Sequence, residues 1–468
     1  MKSSSNILSL KSHLEAICGK ENVFTTEEVL KAYGSDHTED LSFPPQILVK
    51  PGSTEEVSAI LSLSYEVEVP VTPIGALTGL SGGALSVKGG IGLSLERMNK
   101  ILKIDTNNMQ VTTQPAVITQ LLQEEVAKYG LYYAPDPASR GTCSIGGNLA
   151  ENSGGPRALK YGVTKDFVLN LEVVLPNGEI IQTGANTLKN STGYNLTQLL
   201  VGSEGTLGVI TKAVLKLLPL PKHNLLMLVP FSSAFKACEA VAAIFNAGIT
   251  PSALEFMERD AIDWTLDFVD SPPQLEIKEH HQAHLLIEVD GNDQEVLFKD
   301  CEKISEVVQR YEADEVMFAD SEAQKEALWF LRRRVGEAVK ANSIYKEEDT
   351  VVPRFELPKL LEGVKRIGEK YGFKSVCYGH AGDGNLHINI VKADMTDQQW
   401  SEELPKGIRE LFQLTVDLGG TISGEHGIGY VQKGYMDIPF SKVELELMKK
   451  IKKVFDPKGL LNPGKIWE

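Results

Sequence analysis

Pro73-Ile74-Gly75-Ala76-Leu77-Thr78-Gly79-Leu80-Ser81-Gly82-Gly83 is a run of small residues that follows a predicted strand, Val67–Val71. A loop of this kind, with its N–H groups free, can cradle a pyrophosphate. Alone it is a weak sign, because Gly-rich turns are common and the GxGxxG spacing of a dinucleotide fingerprint is absent. Upstream, Gln46–Lys50 reads as a strand. Ser53 and Glu56 stand at capping-box spacing, and Val57, Ile60 and Leu61 give a helical apolar face. Downstream the loops multiply: Pro135-Asp136-Pro137-Ala138-Ser139, Gly146-Gly147-Asn148, Asn152-Ser153-Gly154-Gly155, Tyr161-Gly162 and Gly202-Ser203-Glu204-Gly205-Thr206-Leu207-Gly208-Val209-Ile210-Thr211. Between them Leu171–Glu179 reads as a hairpin turning on Asn177-Gly178. Any one loop has a plain explanation as a turn. Their density from Pro73 to Thr211 implies a backbone-lined groove for a long ligand.

The chain has 468 residues, 42% hydrophobic and 24% charged, enough for two or three domains with sizeable cores. A net charge of −16 argues against nucleic acid or an anionic membrane surface as the main partner. It leaves small anionic substrates open, since local Arg and Lys decide those. Five scattered cysteines without a CxxC argue against a disulfide framework and a Cys₄ iron–sulfur cluster. A reducing compartment, the cytoplasm, is expected. Residues 1–10 lack a secretory apolar region, and no stretch reaches the length of a membrane span.

Pro219-Leu220-Pro221 marks a boundary. Beyond it, the Leu225–Pro230 strand, a helix over Ala234–Ala247 closed by Gly248, and the His284–Val289 strand suggest a new sheet with helices. His280, His281 and His284 read as a polar loop feeding that strand. A second metal site is not favoured there, because no carboxylate is clearly placed with them. Glu322–Asn342 reads as a helix that buries Leu328, Leu331, Val335 and Ala338. Trp329, Arg332 and Gly336 fall on a neighbouring stripe, where Gly336 would make room for the guanidinium.

The second half centres on Ser375–Val391, read as a hairpin across Ala381-Gly382-Asp383-Gly384-Asn385. Period-two alternation sends Leu386, Ile388 and Ile390 one way and His387 and Asn389 the other. A turn centred near Asp383-Gly384 would set His380 opposite His387. Ser423-Gly424-Glu425-His426-Gly427 adds a carboxylate and a third imidazole. His380, His387 and Glu425 suit one divalent metal with open positions (Zn, Mn, Fe or Co), and His426 is a base beside it. The competing reading is a packed hairpin with ordinary hydrogen-bonded histidines.

Together Pro73–Gly83, Pro135–Ser139, Gly146–Asn148 and Gly202–Thr211 resemble the FAD-binding domain of the vanillyl-alcohol-oxidase/PCMH superfamily. With His380–Asn389, Glu425-His426 and Asn462-Pro463-Gly464, the chain from Pro45 onward resembles the FAD-linked 2-hydroxyacid dehydrogenases and oxidases. These include the glycolate oxidase FAD subunit, D-lactate dehydrogenase and D-2-hydroxyglutarate dehydrogenase. The resemblance implies an α+β fold with a helical lead-in over 1–44, a two-part FAD-binding domain over 45–221, and a cap domain with a mainly antiparallel sheet over 222–454. A tail over 455–468 returns to the FAD domain.

The FAD contacts it implies are Pro73, Gly75, Ala76, Leu77, Thr78, Gly79, Ser81, Gly82, Pro135, Asp136, Ser139, Gly146, Gly147, Asn148, Ser153, Gly155, Tyr161, Gly162, Glu204, Gly205, Gly208, Val209, Ile210 and Asn462. Similar proteins often carry Gly where this chain has Leu77. With no His or Tyr in the first loop to tether it, the FAD is expected to be non-covalent. Arg332 is the implied clamp for the substrate carboxylate, with Lys346 and Asn389 assisting and His426 as catalytic base. The implied reaction is oxidation of a small D-2-hydroxy acid to the 2-oxo acid, with hydride transfer to flavin N5. Electrons would pass to a separate acceptor: a quinone, an electron-transfer protein or an iron–sulfur subunit. A homodimer is expected, with peripheral contact to the inner membrane through a partner. Two alternatives remain: a non-redox flavoenzyme of the alkylglycerone-phosphate synthase type, and an idle flavin-binding assembly subunit.

Overall fold

The computed structural model describes residues 4–270, 272 and 275–467. Their contacts form two compact units. The first comprises Met1–Gly154, Gly162–Leu220 and Glu425–Glu468; the second comprises Gly155–Tyr161 and Pro221–Gly424. The chain thus rejoins the first unit at Glu425, well ahead of residue 455, and the short piece Gly155–Tyr161 belongs to the second unit.

Among the described residues the first unit holds two larger sheets, besides the antiparallel pair Leu131–Tyr132 with Leu218–Pro219. One has four strands in the order Val23–Phe24, Ile47–Val49, Ile91–Ser94, Val71–Ile74, the last three parallel. The helix Thr54–Val67 makes the crossover. Ser53 Oγ accepts from the Glu56 N–H at 3.2 Å, while the Glu56 carboxylate accepts from Gly52 N–H at 2.7 Å instead of from Ser53. That helix takes Val67 from the expected strand, which begins only at Val71; Glu68, at φ 56°, closes the last turn onto the Ser64 carbonyl. The other sheet is antiparallel, in the order Ile101–Asp105, Gln110–Thr113, Val209–Lys216, Val168–Val174, Ile180–Gln182. The Asn177-Gly178 turn is present, with Gly178 at φ 89°. Val174 and Val209 pack in one apolar core with Ile47, Ile60, Ile91 and Leu461. Leu461 also bridges Val71 in parallel.

The second unit is a seven-stranded antiparallel sheet in the order Met317–Phe318, His223–Phe231, Ala283–Gly291, Ala253–Glu258, Lys374–Gly379, Asn385–Val391, Tyr345–Val351. The helices Arg259–Phe268 and Glu322–Asn342 cover one face. There Leu328, Leu331 and Val335 pack on Ala253, Met257 and Tyr378. The helix Leu357–Tyr371 lies on the other face, where Lys365 reaches Cys377 Sγ at 3.9 Å. All five cysteines are buried and unpaired. Among the described residues no helix is long and apolar enough to cross a membrane.

Candidate active site

In the first unit, Pro73, Gly75, Gly146, Gly147, Glu204, Gly205, Gly208, Val209 and Ile210 line one groove together with Gly83, Ser144, Glu151 and Leu200. Six of its lining residues are glycines, Gly75, Gly83, Gly146, Gly147, Gly205 and Gly208, which leave backbone open to the groove. A Cβ on Gly75 would stand 3.2 Å from Ser144 Oγ, and one on Gly146 would stand 2.6 Å from Pro115 Cβ, so the close approach needs glycine. Buried Ser81 keeps its Oγ without a hydrogen-bond partner. These features fit a long cofactor held by backbone groups.

Leu77 sits at φ 57°, a conformation that favours glycine, which accounts for the glycine expected there. Gly82 N–H is fixed by Thr38 Oγ1 at 2.9 Å, and Gly79 O by the N–H of His37 at 3.0 Å. Several expected cofactor contacts have protein partners. Asn148 Nδ2 donates to Thr119 Oγ1 at 2.6 Å. Asn462 Nδ2 donates to the carbonyls of Gly83 and Glu204 at 3.0 and 2.8 Å. Asp136 accepts from Arg140 at 3.1 Å, and the carbonyls of Ser139 and Ser153 accept from Cys143 and Thr164. Tyr161 and Gly155 lie in the second unit, where Tyr161 donates to Asp290 at 2.8 Å. Glu425 and His426 belong to the first unit. Glu425 Oε2 accepts from Gly154 N–H at 3.1 Å, and the next N–H groups, of Ile428 and Gly429, donate to Glu204 at 2.8 and 2.7 Å.

In the second unit, one sheet face gathers Glu255, Tyr378, His387, Glu347, Asp349 and Asn389. The register pairs Tyr378 with His387, Glu347 with Asn389 and Asp349 with His387. His380 therefore does not stand across from His387. The turn is longer than expected: His380 leaves the strand at ψ 73° and a 3₁₀ turn over Ala381–Asp383 follows. The two imidazoles nevertheless meet, ring centres 5.3 Å apart and nearly perpendicular. His380 Nδ1 lies 2.9 and 2.8 Å from the two oxygens of Glu255, which is fully buried. A carboxylate there accepts the Nδ1 proton and leaves Nε2 as the lone-pair nitrogen. This is the orientation that metal-bound histidines take. His387 Nδ1 faces Glu347 Oε1 at 3.5 Å and Asp349 Oδ1 at 3.7 Å.

Arg332 descends from its helix onto the same centre, 4% exposed. Nη2 is 2.7 Å from Glu255 Oε2, and the guanidinium lies 5.1 Å over the Tyr378 ring. Nη2 is at ion-pair distance but out of line for a hydrogen bond, and Nε also lacks a partner, so the fork retains donor capacity. Gly336 makes room for the Tyr378 hydroxyl, 3.0 Å from where its Cβ would stand, not for the guanidinium. Burial and the nearby Glu347 push the Tyr378 phenol well above its ordinary pKa, so it is a neutral donor to Glu347 at 3.2 Å. Asn389 is fully buried, and both its amide atoms lack hydrogen-bond partners. Lys346 is exposed and pairs with Ile390, so it faces away from this centre. Asp349 accepts from Asn385 Nδ2 at 2.6 Å, Gly424 N–H at 2.9 Å and Ser423 Oγ at 3.2 Å, which anchors the residue preceding Glu425.

Sequence reasoning missed Glu255. Its only signal was a single carboxylate in the otherwise apolar run Ala253-Leu254-Glu255-Phe256-Met257. It also missed Asp314, whose Oδ2 meets Nε2 of His280 at 3.1 Å, Nε2 of His281 at 3.0 Å and Lys278 Nζ at 3.0 Å. Here His281 Nδ1 accepts from Lys278 N–H at 3.2 Å, so the proton is on Nε2 and points at the carboxylate. That arrangement is an ion-pair cluster in which the Nε2 proton of His281 is committed to the carboxylate.

The family of FAD linked oxidases, C-terminal domain, matches residues 220–466, and an FAD binding domain matches residues 45–184. The chain is 41% identical to a D-lactate dehydrogenase of Anaerostipes hadrus over 90% of this chain and 89% of that one. It is 38% identical to a glycolate oxidase subunit GlcD of Bacillus subtilis over 98% and 96%. A D-2-hydroxyglutarate dehydrogenase of Stutzerimonas stutzeri is 34% identical over 98% of each chain. Among solved structures, p-cresol methylhydroxylase superposes with a TM-score of 0.81 at 18% identity, covering 99% of this chain and 97% of that one. An alkyldihydroxyacetonephosphate synthase superposes with 0.75 at 18% identity, covering 99% and 85%.

Proposed function

The chain belongs to the FAD-linked oxidases and is an FAD-dependent oxidoreductase of 2-hydroxy acids; from that premise we propose metal-assisted oxidation of a D-2-hydroxy acid such as D-lactate, glycolate or D-2-hydroxyglutarate. The observation that carries it is Glu255, which holds His380 in the ligand tautomer and pairs with Arg332. FAD, when bound non-covalently, supplies the two-electron acceptor for the Cα hydride, and a divalent metal, when bound, supplies the charge that lowers the hydroxyl's pKa. His380 offers Nε2 to that metal beside His387. Glu425, which follows the anchored Gly424 in the chain, is the third ligand we assign. Arg332 takes the substrate carboxylate with its unused donors, a role suited to a planar fork. The buried Asn389 amide offers a donor and an acceptor beside it. His426 takes the hydroxyl proton as the C=O bond forms. Electrons then leave to a separate acceptor.

Anaerobic mixing with D-lactate, glycolate and D-2-hydroxyglutarate tests this: one of them should bleach the oxidised flavin band, and chelation should slow the bleaching. An oxidised band that persists with all three acids would sink the proposed substrate assignment.

A further inference from the structure

We propose that Glu151 keeps its proton at neutral pH and presents a neutral carboxyl to FAD in the groove of the first unit, so that one proton governs cofactor affinity. This rests on FAD occupying that groove. Glu151 is the last residue of the helix Ile145–Glu151, the end at which a carboxylate is disfavoured, and it lines the groove. A second carboxyl, Glu204, lies against it. A Cβ on Gly427 would stand 2.1 Å from Glu151 Oε2 and 3.2 Å from Glu204 Oε1, so both groups flank that glycine. Two carboxylates so placed do not both ionise readily.

The hydrogen bonds decide which one does. Glu204 accepts one backbone N–H at each oxygen, from Ile428 at 2.8 Å and Gly429 at 2.7 Å. Glu151 Oε2 is buried with no partner at all. The nearby cation acts on it only through space: Lys465 Nζ spends its hydrogens on Gly83 O, Leu85 O and Asn462 Oδ1 at 3.1, 2.6 and 3.0 Å, not on Glu151. Asp36, a half-buried third carboxyl, adds further negative charge and has a buried, unpartnered Oδ2 of its own. Burial first, then Glu204 and Asp36, push Glu151 well above the ordinary carboxylate range, and Lys465 opposes them. A carboxylate at Glu151 would add negative charge to a groove that takes an anionic cofactor and would leave Oε2 without a donor. The neutral acid does neither.

The test is a titration of apoprotein with FAD, followed by flavin fluorescence from pH 6 to 9.5, for wild type and Glu151→Gln. Wild-type Kd should rise tenfold or more with pH, while Glu151→Gln should match wild type at pH 6 and lose most of that rise. Lys465, brought down to about 8 by burial, weakens binding above that pH in both proteins, so the difference between them isolates Glu151. A wild-type Kd flat with pH, or an equal slope in the variant, would overturn the proposal. Infrared spectroscopy gives a second reading: wild-type protein at pH 7 should show a protonated-carboxyl C=O band that Glu151→Gln lacks. Absence of that band in wild type overturns the assignment even if FAD binds. Failure to take up flavin at any pH would instead refute the cofactor reading.

Discussion

His380 and His281 are both buried histidines that reach a carboxylate, and both have a second imidazole within about one ring's width. They spend their nitrogens in opposite ways. His380 gives its Nδ1 proton to Glu255 and keeps the Nε2 lone pair. His281 takes a backbone proton at Nδ1 and gives its Nε2 proton to Asp314. The charges around them differ too. Glu255 is fully buried and shared with Arg332, whereas Asp314 is one-third exposed and already neutralised by Lys278. A count of ligand-type residues makes the two clusters look equivalent. The committed nitrogen separates a centre able to take a cation from one that closes a loop.

The strongest way to break that contrast is to exchange outcomes. His387→Ala should lose bound metal and turnover together, while His281→Ala should keep both; elemental analysis beside steady-state rates would decide it. Within the same experiment His426→Asn should retain FAD and metal but slow flavin reduction by about 10²–10⁴, the usual worth of a general base. Arg332→Ala should lose about 2–4 kcal/mol in kcat/KM, with Lys an incomplete substitute because it lacks the planar fork. An unchanged kcat/KM would leave Arg332 as nothing more than a partner for Glu255. Glu255→Gln tests the tautomer argument directly. The amide still hydrogen-bonds but no longer favours the Nδ1 proton, so metal affinity should fall by about 10–100-fold.

The smallest effect belongs to the other cluster. His284, fully buried with neither nitrogen partnered, is pushed down to about 3 by burial, with His281 and Arg259 adding to it. Its folded-state pKa lies below the unfolded value near 6.5, so the unfolded chain binds the extra proton and stability is lost as pH falls through that window. At pH 5.5 the loss should be about 1.3 kcal/mol relative to neutral pH. Denaturant melts of His284→Leu should lack that acid slope; an unchanged slope would assign it elsewhere.

Local chemistry made much of this legible in advance. The helix Glu322–Asn342, the Asn177-Gly178 hairpin and the Ala234–Asn246 helix ending before Gly248 each follow from spacing and turn residues close in sequence. The pairing of His380 with His387 was also visible, though not its register, because a 3₁₀ turn costs the hairpin its simple count. Glu255 was invisible for a different reason. It is 125 residues from His380, and only the strand order that puts Ala253–Glu258 beside Lys374–Gly379 joins them. Lys346 failed through parity: one residue of shift moves a strand side chain to the opposite face.

The bridge from Val71 to Leu461, with Asn462 tied to Gly83 and Glu204, has a consequence for synthesis. The groove-lining segments leave the ribosome some 250 residues or more ahead of the residues that fasten them. A nascent chain halted before Glu425 would carry the glycine loops without the N–H groups that hold Glu204 in place. Cofactor loading is therefore expected only after translation has passed Lys465. Contacts this distant in sequence are also the slowest to form. Until then the loops present open glycine-rich backbone, and a supply of free flavin during expression should raise the yield of folded protein.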